Sequence, residues 1–179
     1  MILFHGTTQI IKEIDLSKGR HRTDFGKGFY LGSNLDVAEK WAKNRASFSG
    51  KPIVMRYFLD PTIFSDKAVN PLCFDYPSAS WLDFVRDNRR KEDTDHPHKP
   101  RHQHGVVRGP IANDKVNFVV EDYINGKITA CEAIARAKAM PNALQISLHS
   151  EVALKYVQMS NTQYKEFMSS GIWSEWKSI

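Results

Sequence analysis

Three glycines, Gly26, Gly28 and Gly32, punctuate the stretch DFGKGFYLG with spacings of two and then four residues. The dinucleotide fingerprint of a doubly wound fold needs spacings of two and then three, after a strand and at the opening of a helix. Here the glycines lead into GFYLG, an apolar and aromatic run that reads as a strand. The chain also has no GxxxxGK[ST] loop. These absences steer the fold away from a parallel sheet built around a phosphate loop.

The order of the remaining segments points the same way. ILFHG, PIVMRYFLD, GVVRGPI and ALQISLH read as further strands. The spacing predicts a helix over SNLDVAEKWAKNRA, capped by Ser33 or Asn34, with Leu35, Ala38, Trp41 and Ala42 on one face. SASWLDFVRDNRR reads as a helix with Trp81, Phe84 and Val85 inward. NDKVNFVVEDYING ends at a Gly126 cap, and TACEAIARAKAM opens with a Thr129–Glu132 capping box. SEVALKYVQM is expected to be a helix capped by Ser150, and the tail beyond Asn161, with Trp173 and Trp176, a short helix packed on the body. Strands and helices mix without strict alternation, so the fold class is α+β. The expected organisation is one domain over residues 1–160, with residues 161–179 as an extension packing on it.

Composition narrows the function classes. Hydrophobic residues make up 41% of the 179, enough for one core. No apolar run reaches the roughly 18 residues of a membrane-spanning helix, and no leader pattern is visible, so a cytoplasmic protein without a membrane partner is expected. Cys73 and Cys131 form neither a disulfide framework nor a zinc pattern. The charge of +5 favours anionic ligands, whether a pyrophosphate cofactor or nucleic acid, or serves solubility alone. His96, His98, His102 and His104 crowd one segment, but prolines interrupt it and no cysteine joins it. An exposed loop is expected there, and no metal site.

The pairing of motifs carries a resemblance. His5-Gly6 on the first strand, followed by FGKGFYL on the second and then a helix, resembles the NAD-binding core of the ADP-ribosyltransferases. The likeness is to the diphtheria-toxin-like and poly(ADP-ribose)-polymerase-like branch. More narrowly, the chain resembles an uncharacterised bacterial family that shares HG, DFGKGFYL, a WxxF helix ending in Asn88-Arg89, a GPxANDK turn and a late QIS-H strand, over residues 2 to 158. The resemblance implies a split, strongly bent pair of antiparallel sheets with surrounding helices and NAD in the cleft between them.

By that resemblance, His5, Tyr30 and Gln145 are the catalytic set. His5, Gly6, Thr7, Gly28, Tyr30 and Trp41 would bind NAD, the ADP-ribose donor. His5 would bond a ribose hydroxyl, Gly6 would let the backbone approach the carboxamide, and Thr7 would add a hydroxyl contact. Tyr30 and Trp41 would sandwich nicotinamide. Lys27 or Arg89 would meet phosphate. Each has a plainer alternative: a core histidine, a structural tyrosine, a tryptophan on the apolar stripe of its helix, and glycines that serve turn geometry alone. Gln145 stands where chain-forming polymerases carry glutamate; it can bond a ribose hydroxyl but cannot carry charge. Glu151 is a substitute carboxylate or first-turn decoration of its helix, and Asp114 a helix cap.

The expected function is NAD-dependent mono-ADP-ribosyl transfer to a protein or nucleic-acid acceptor, in the manner of a toxin held by an antitoxin-like partner protein. The alternatives are an inactive module that binds NAD or ADP-ribose, a nucleic-acid-binding protein, and an RNA 2′-phosphate transferase of the same fold.

Overall fold

The computed structural model describes residues 1–89, 102–111, 114–138 and 143–179. Among the described residues, eight strands and five helices build an α+β fold. The strands are β1 (Ile2–Thr7), β2 (Phe29–Gly32), β3 (Ile53–Phe58), β4 (Pro71–Cys73), β5 (Val106–Pro110), β6 (Leu144–Leu148), β7 (Gln163–Glu166) and β8 (Lys177–Ser178). The helices are α1 (Leu35–Ala46), α2 (Ala79–Arg89), α3 (Asp114–Ile124), α4 (Ala130–Lys138) and α5 (Glu151–Leu154).

All eight strands join one sheet in the order β4-β5-β6-β2-β1-β3-β7-β8. Among the described residues only the β4–β5 pair is parallel. The expectation of two separate antiparallel sheets is therefore corrected to one mixed sheet. The sheet is uneven, though. β1 meets β3 over six residue pairs, from Ile2↔Phe58 to Thr7↔Ile53, but meets β2 at the single pair Phe4↔Gly32. This thin seam divides the sheet into two four-stranded halves, and His5-Gly6 and GFYL lie on its two sides.

Strand alternation sorts side chains into two cores. Adjacent residues on a strand point to opposite faces. Phe29, Leu31, Ile146, Leu148 and Val106 fill one core, while Val107 joins the other with Phe25, Trp81, Leu82, Val85 and Val120. Tyr30 packs against this second, helix-covered core. Gln145 and Ser147 alternate with Ile146 and Leu148 and so share that face.

The local signals held well. Asn34 caps α1, its side chain accepting from the Val37 N–H at 3.1 Å. The Thr129–Glu132 box closes in both directions, at 2.8 and 3.3 Å. Gly126 takes φ +69 after α3, where Lys127 N–H reaches the Asp122 carbonyl at 2.8 Å. On α1, Ala38 and Ala42 are buried one turn apart, against β1. A Cβ on Gly6 would stand 2.3 Å from the Ala38 carbonyl oxygen and 2.8 Å from the Ala42 nitrogen. Gly6 is thus required by helix packing, whatever else it does.

Two expectations fail. The Ser150 helix ends at Leu154, well short of Met159. The tail forms no helix: β7 pairs with β3, β8 pairs with β7, and Trp173 and Trp176 pack against the cluster of Ala38, Ala42 and Val54. Trp176 stacks on Phe4 at 6.1 Å, and the Arg56 guanidinium sits 4.3 Å from the Trp176 ring centre. Aromatic and cationic pairing holds as well on a strand as on a helix, and the free edge of β3 decided between them. No helix among the described residues is long and apolar enough to cross a membrane.

Candidate functional site

A cleft of about 1530 Å³ opens along the β1/β2 seam. Its walls include His5, Gly6 and Thr7 of β1, Gly28 and Tyr30 at β2, Trp41 and Arg45 of α1, and Gln145 of β6. The residues singled out as catalytic and cofactor-binding thus line one cavity. Lys27, expected to meet phosphate, does not line it.

His5 is held by its backbone surroundings. Its Nδ1 lies 2.7 Å from the Tyr30 carbonyl oxygen, and a carbonyl only accepts, so Nδ1 carries the hydrogen. The ring stacks on Phe29 with centres 4.7 Å apart. Burial, helped by the Arg45 and Arg20 charges, lowers its pKa to about 4 even against the opposing bond to Tyr30. His5 is therefore neutral near pH 7, with Nε2 as a free acceptor for a hydroxyl.

The Tyr30 hydroxyl is fully engaged. It accepts from the Phe25 N–H at 2.9 Å, donates to the Gly26 carbonyl at 2.7 Å and meets the Thr23 hydroxyl at 2.8 Å. It pins the glycine turn, and burial keeps it protonated. The ring alone remains for a ligand. The plainer structural reading of Tyr30 is thus correct for its hydroxyl. Trp41 goes the other way: it is 46% exposed, too open for a core tryptophan, and stands in the cleft wall. The Thr7 hydroxyl is 3.3 Å from the Gln9 N–H, as its acceptor.

Gln145 is buried within a polar knot. Its Nε2 donates to Asp24 Oδ2 at 2.7 Å and to the Pro110 carbonyl at 3.2 Å. The other carboxylate oxygen of Asp24 accepts from Arg89 Nε at 3.0 Å and from Arg89 Nη2. Asp24 opens the DFGKGFYL stretch yet was not among the sequence candidates. Nothing in spacing joins it to a residue 121 positions away. Arg89 meets this carboxylate, where a phosphate contact was expected. Arg20 and Arg45 were missed as well. Both line the cleft, and no ion pair joins either to an acid among the described residues.

Beside Tyr30, His149 donates Nδ1–H to the Lys27 carbonyl at 2.8 Å, and its Nε2 accepts from the Ser147 hydroxyl at 2.7 Å. A Cβ on Gly28 would stand 2.5 Å from that Nδ1, so Gly28 is small to admit His149. Of the histidine segment, His96 and His98 lie outside the described residues. His102 donates Nε2–H to the Phe25 carbonyl at 2.8 Å and packs edge-on to His149 at 4.6 Å. This end of the segment is packed, against the expectation of a solvated loop. Among the described residues no three His, Cys, Asp or Glu side chains are grouped to hold a metal. Glu151 is exposed and lies off the main cleft, as first-turn decoration does. The side chain of Asp114, and Asn113 altogether, lie outside the described residues.

A family model described as a protein of unknown function, DUF3990, matches residues 1–159. The chain belongs to the DUF3990 family. No curated protein and no solved structure matches it. The match spans both glycine motifs, the Asp24–Arg89–Gln145 knot and every cleft residue named above, so the cleft of this DUF3990 protein lies wholly within the family's region. β7 and β8 lie beyond it.

Proposed function

We propose that the cleft binds NAD and that the protein transfers single ADP-ribose units from it. One observation carries the reading: His5, Tyr30 and Gln145, from three strands, line a single cleft along the seam of a nearly divided sheet. The residues present fit such a ligand. Trp41 and the Tyr30 ring offer flat apolar surfaces for nicotinamide or adenine. Arg20 and Arg45 offer positive charge for a pyrophosphate. His5 Nε2 and Gln145 Oε1 are acceptors for ribose hydroxyls.

Transfer breaks the bond from ribose C1′ to the nicotinamide nitrogen. The electron pair leaves with nicotinamide, which departs neutral, and positive charge spreads over the ribose as in glycoside cleavage. An acceptor lone pair then bonds C1′, and its proton passes to water. What this chain adds is grip, orientation and exclusion of alternative poses. Gln145 brings no charge of its own, which favours one unit over chain growth. A second reading, binding without turnover, is favoured by how firmly Gln145 is tied to Asp24 and Pro110. A restraining partner protein belongs to the first reading.

Incubation with NAD labelled on the adenylate, in a cell lysate, separates the readings. The expected result is label on a protein or nucleic-acid fraction, with mass spectrometry giving one ADP-ribose per site. Extended ladders would refute single-unit transfer. NAD binding without nicotinamide release would leave the binding module.

A further inference from the structure

We propose that Asp24 is a positioning residue that sets which end of the Gln145 amide faces the ligand, with Arg89 holding Asp24 in place. The chemistry rests on the NAD reading; the geometry does not. A glutamine amide has a donor end and an acceptor end of nearly the same shape, and a half-turn about its last bond exchanges them. Here both Nε2 hydrogens have acceptors, the Asp24 carboxylate at 2.7 Å and the Pro110 carbonyl at 3.2 Å. The half-turned amide would set its oxygen against two oxygens. The knot therefore fixes Oε1 as the free end, and Oε1 has no partner among the described residues.

An acceptor at that point takes the hydrogen of a ribose hydroxyl. It leaves the hydroxyl oxygen richer in electrons where cation character develops, whereas a donor would do the reverse. Asp24 itself does not act as a counter-charge. Arg89 grips it through Nε at 3.0 Å and through Nη2, so a guanidinium charge stands directly against the carboxylate. The effect of Asp24 is orientation, transmitted through Gln145. The three residues come from the turn before β2, the last turn of α2 and the start of β6. All three lie in the cleft wall.

The test combines kinetics with an observation that needs no NAD. In Asp24→Asn the new amide no longer demands a donor from Gln145, and both amides can turn together. The expected loss in kcat for nicotinamide release is about 10–100-fold, the scale seen when a group orienting a metal ligand is removed, with KM for NAD little changed. Asp24→Asn combined with Gln145→Ala should be no slower than Gln145→Ala alone, because Asp24 has nothing left to orient. Independent, multiplying losses would show a merely structural role and overturn the proposal. Nuclear magnetic resonance of the ligand-free parent reads the same point directly. Both Gln145 side-chain amide hydrogens should exchange slowly with solvent and shift in Asp24→Asn. Fast exchange in the parent overturns the proposal even if Asp24→Asn does not fold. A parent that neither binds NAD nor releases nicotinamide sinks the NAD reading, and the resonance result then decides the role of Asp24 alone.

Discussion

Gln145→Glu is expected to cost the fold about 3 kcal/mol at pH 8. The shape is nearly kept, but the new carboxylate oxygen takes the place of an amide nitrogen that lies 2.7 Å from Asp24 Oδ2 and 3.2 Å from the Pro110 carbonyl. Two good hydrogen bonds become two repulsive contacts in a buried site. An uncompensated buried charge costs about 3–5 kcal/mol, and Arg89 offsets part of it. The pH sign follows from the pair. Two carboxyls at this distance share a proton, so the introduced group has a folded pKa above its unfolded value of about 4.3. Such a group keeps its stability below the unfolded pKa and loses it as pH rises through the folded one. The deficit against the parent should shrink on acidification. Urea unfolding of both proteins at pH 5 and pH 8 measures it. Equal stability at pH 8 would mean that Gln145 does not rest on Asp24. This cost could not be anticipated from the sequence, where nothing marks Asp24 as the neighbour of Gln145.

The parent should itself lose stability in acid, through His5 and His149. Burial lowers both to about 4, against about 6.5 unfolded. Between those values the unfolded chain binds protons that the folded one does not, so stability falls as pH drops through this window. At pH 5 each histidine contributes a loss of about 2 kcal/mol, or up to about 4 kcal/mol together. His102, also lowered by burial, adds in the same direction, and the Arg20 and Arg45 charges beside His5 oppose its protonation. Chemical unfolding across pH 8 to pH 5 checks this, and His149→Gln should remove part of the slope. A flat profile would show that solvent reaches both rings.

Much of the fold was legible because its signals are local. Capping residues, alternating strands and helical stripes placed five strands and the first four helices near their observed bounds. β4, with three residues, is too short for periodicity to register. β7 and β8 were misread because QYKE and KS carry no apolar alternation; their place is set by the open edge of β3 and by Trp173 and Trp176 against the cluster of Ala38, Ala42 and Val54. The site divides the same way. His5, Gly6, Tyr30 and Gln145 were readable through motif pairing. Gly6 turned out to be required by α1 packing, and the Tyr30 hydroxyl by the glycine turn, so a pattern that reads as ligand chemistry is also structural necessity. Asp24 and Arg89 were unreadable as partners, since only folding brings a turn, a helix end and a late strand into one knot.

Whether the β1/β2 cleft takes NAD, as we propose, is decided by calorimetric titration. Measurable heat is expected for the parent, with weaker binding in His5→Ala and weaker binding in Trp41→Ala. Trp41 is exposed, so its loss leaves the fold intact and reports on the ligand alone. No heat with the parent, or unchanged affinity in both variants, would rule out NAD binding in this cleft.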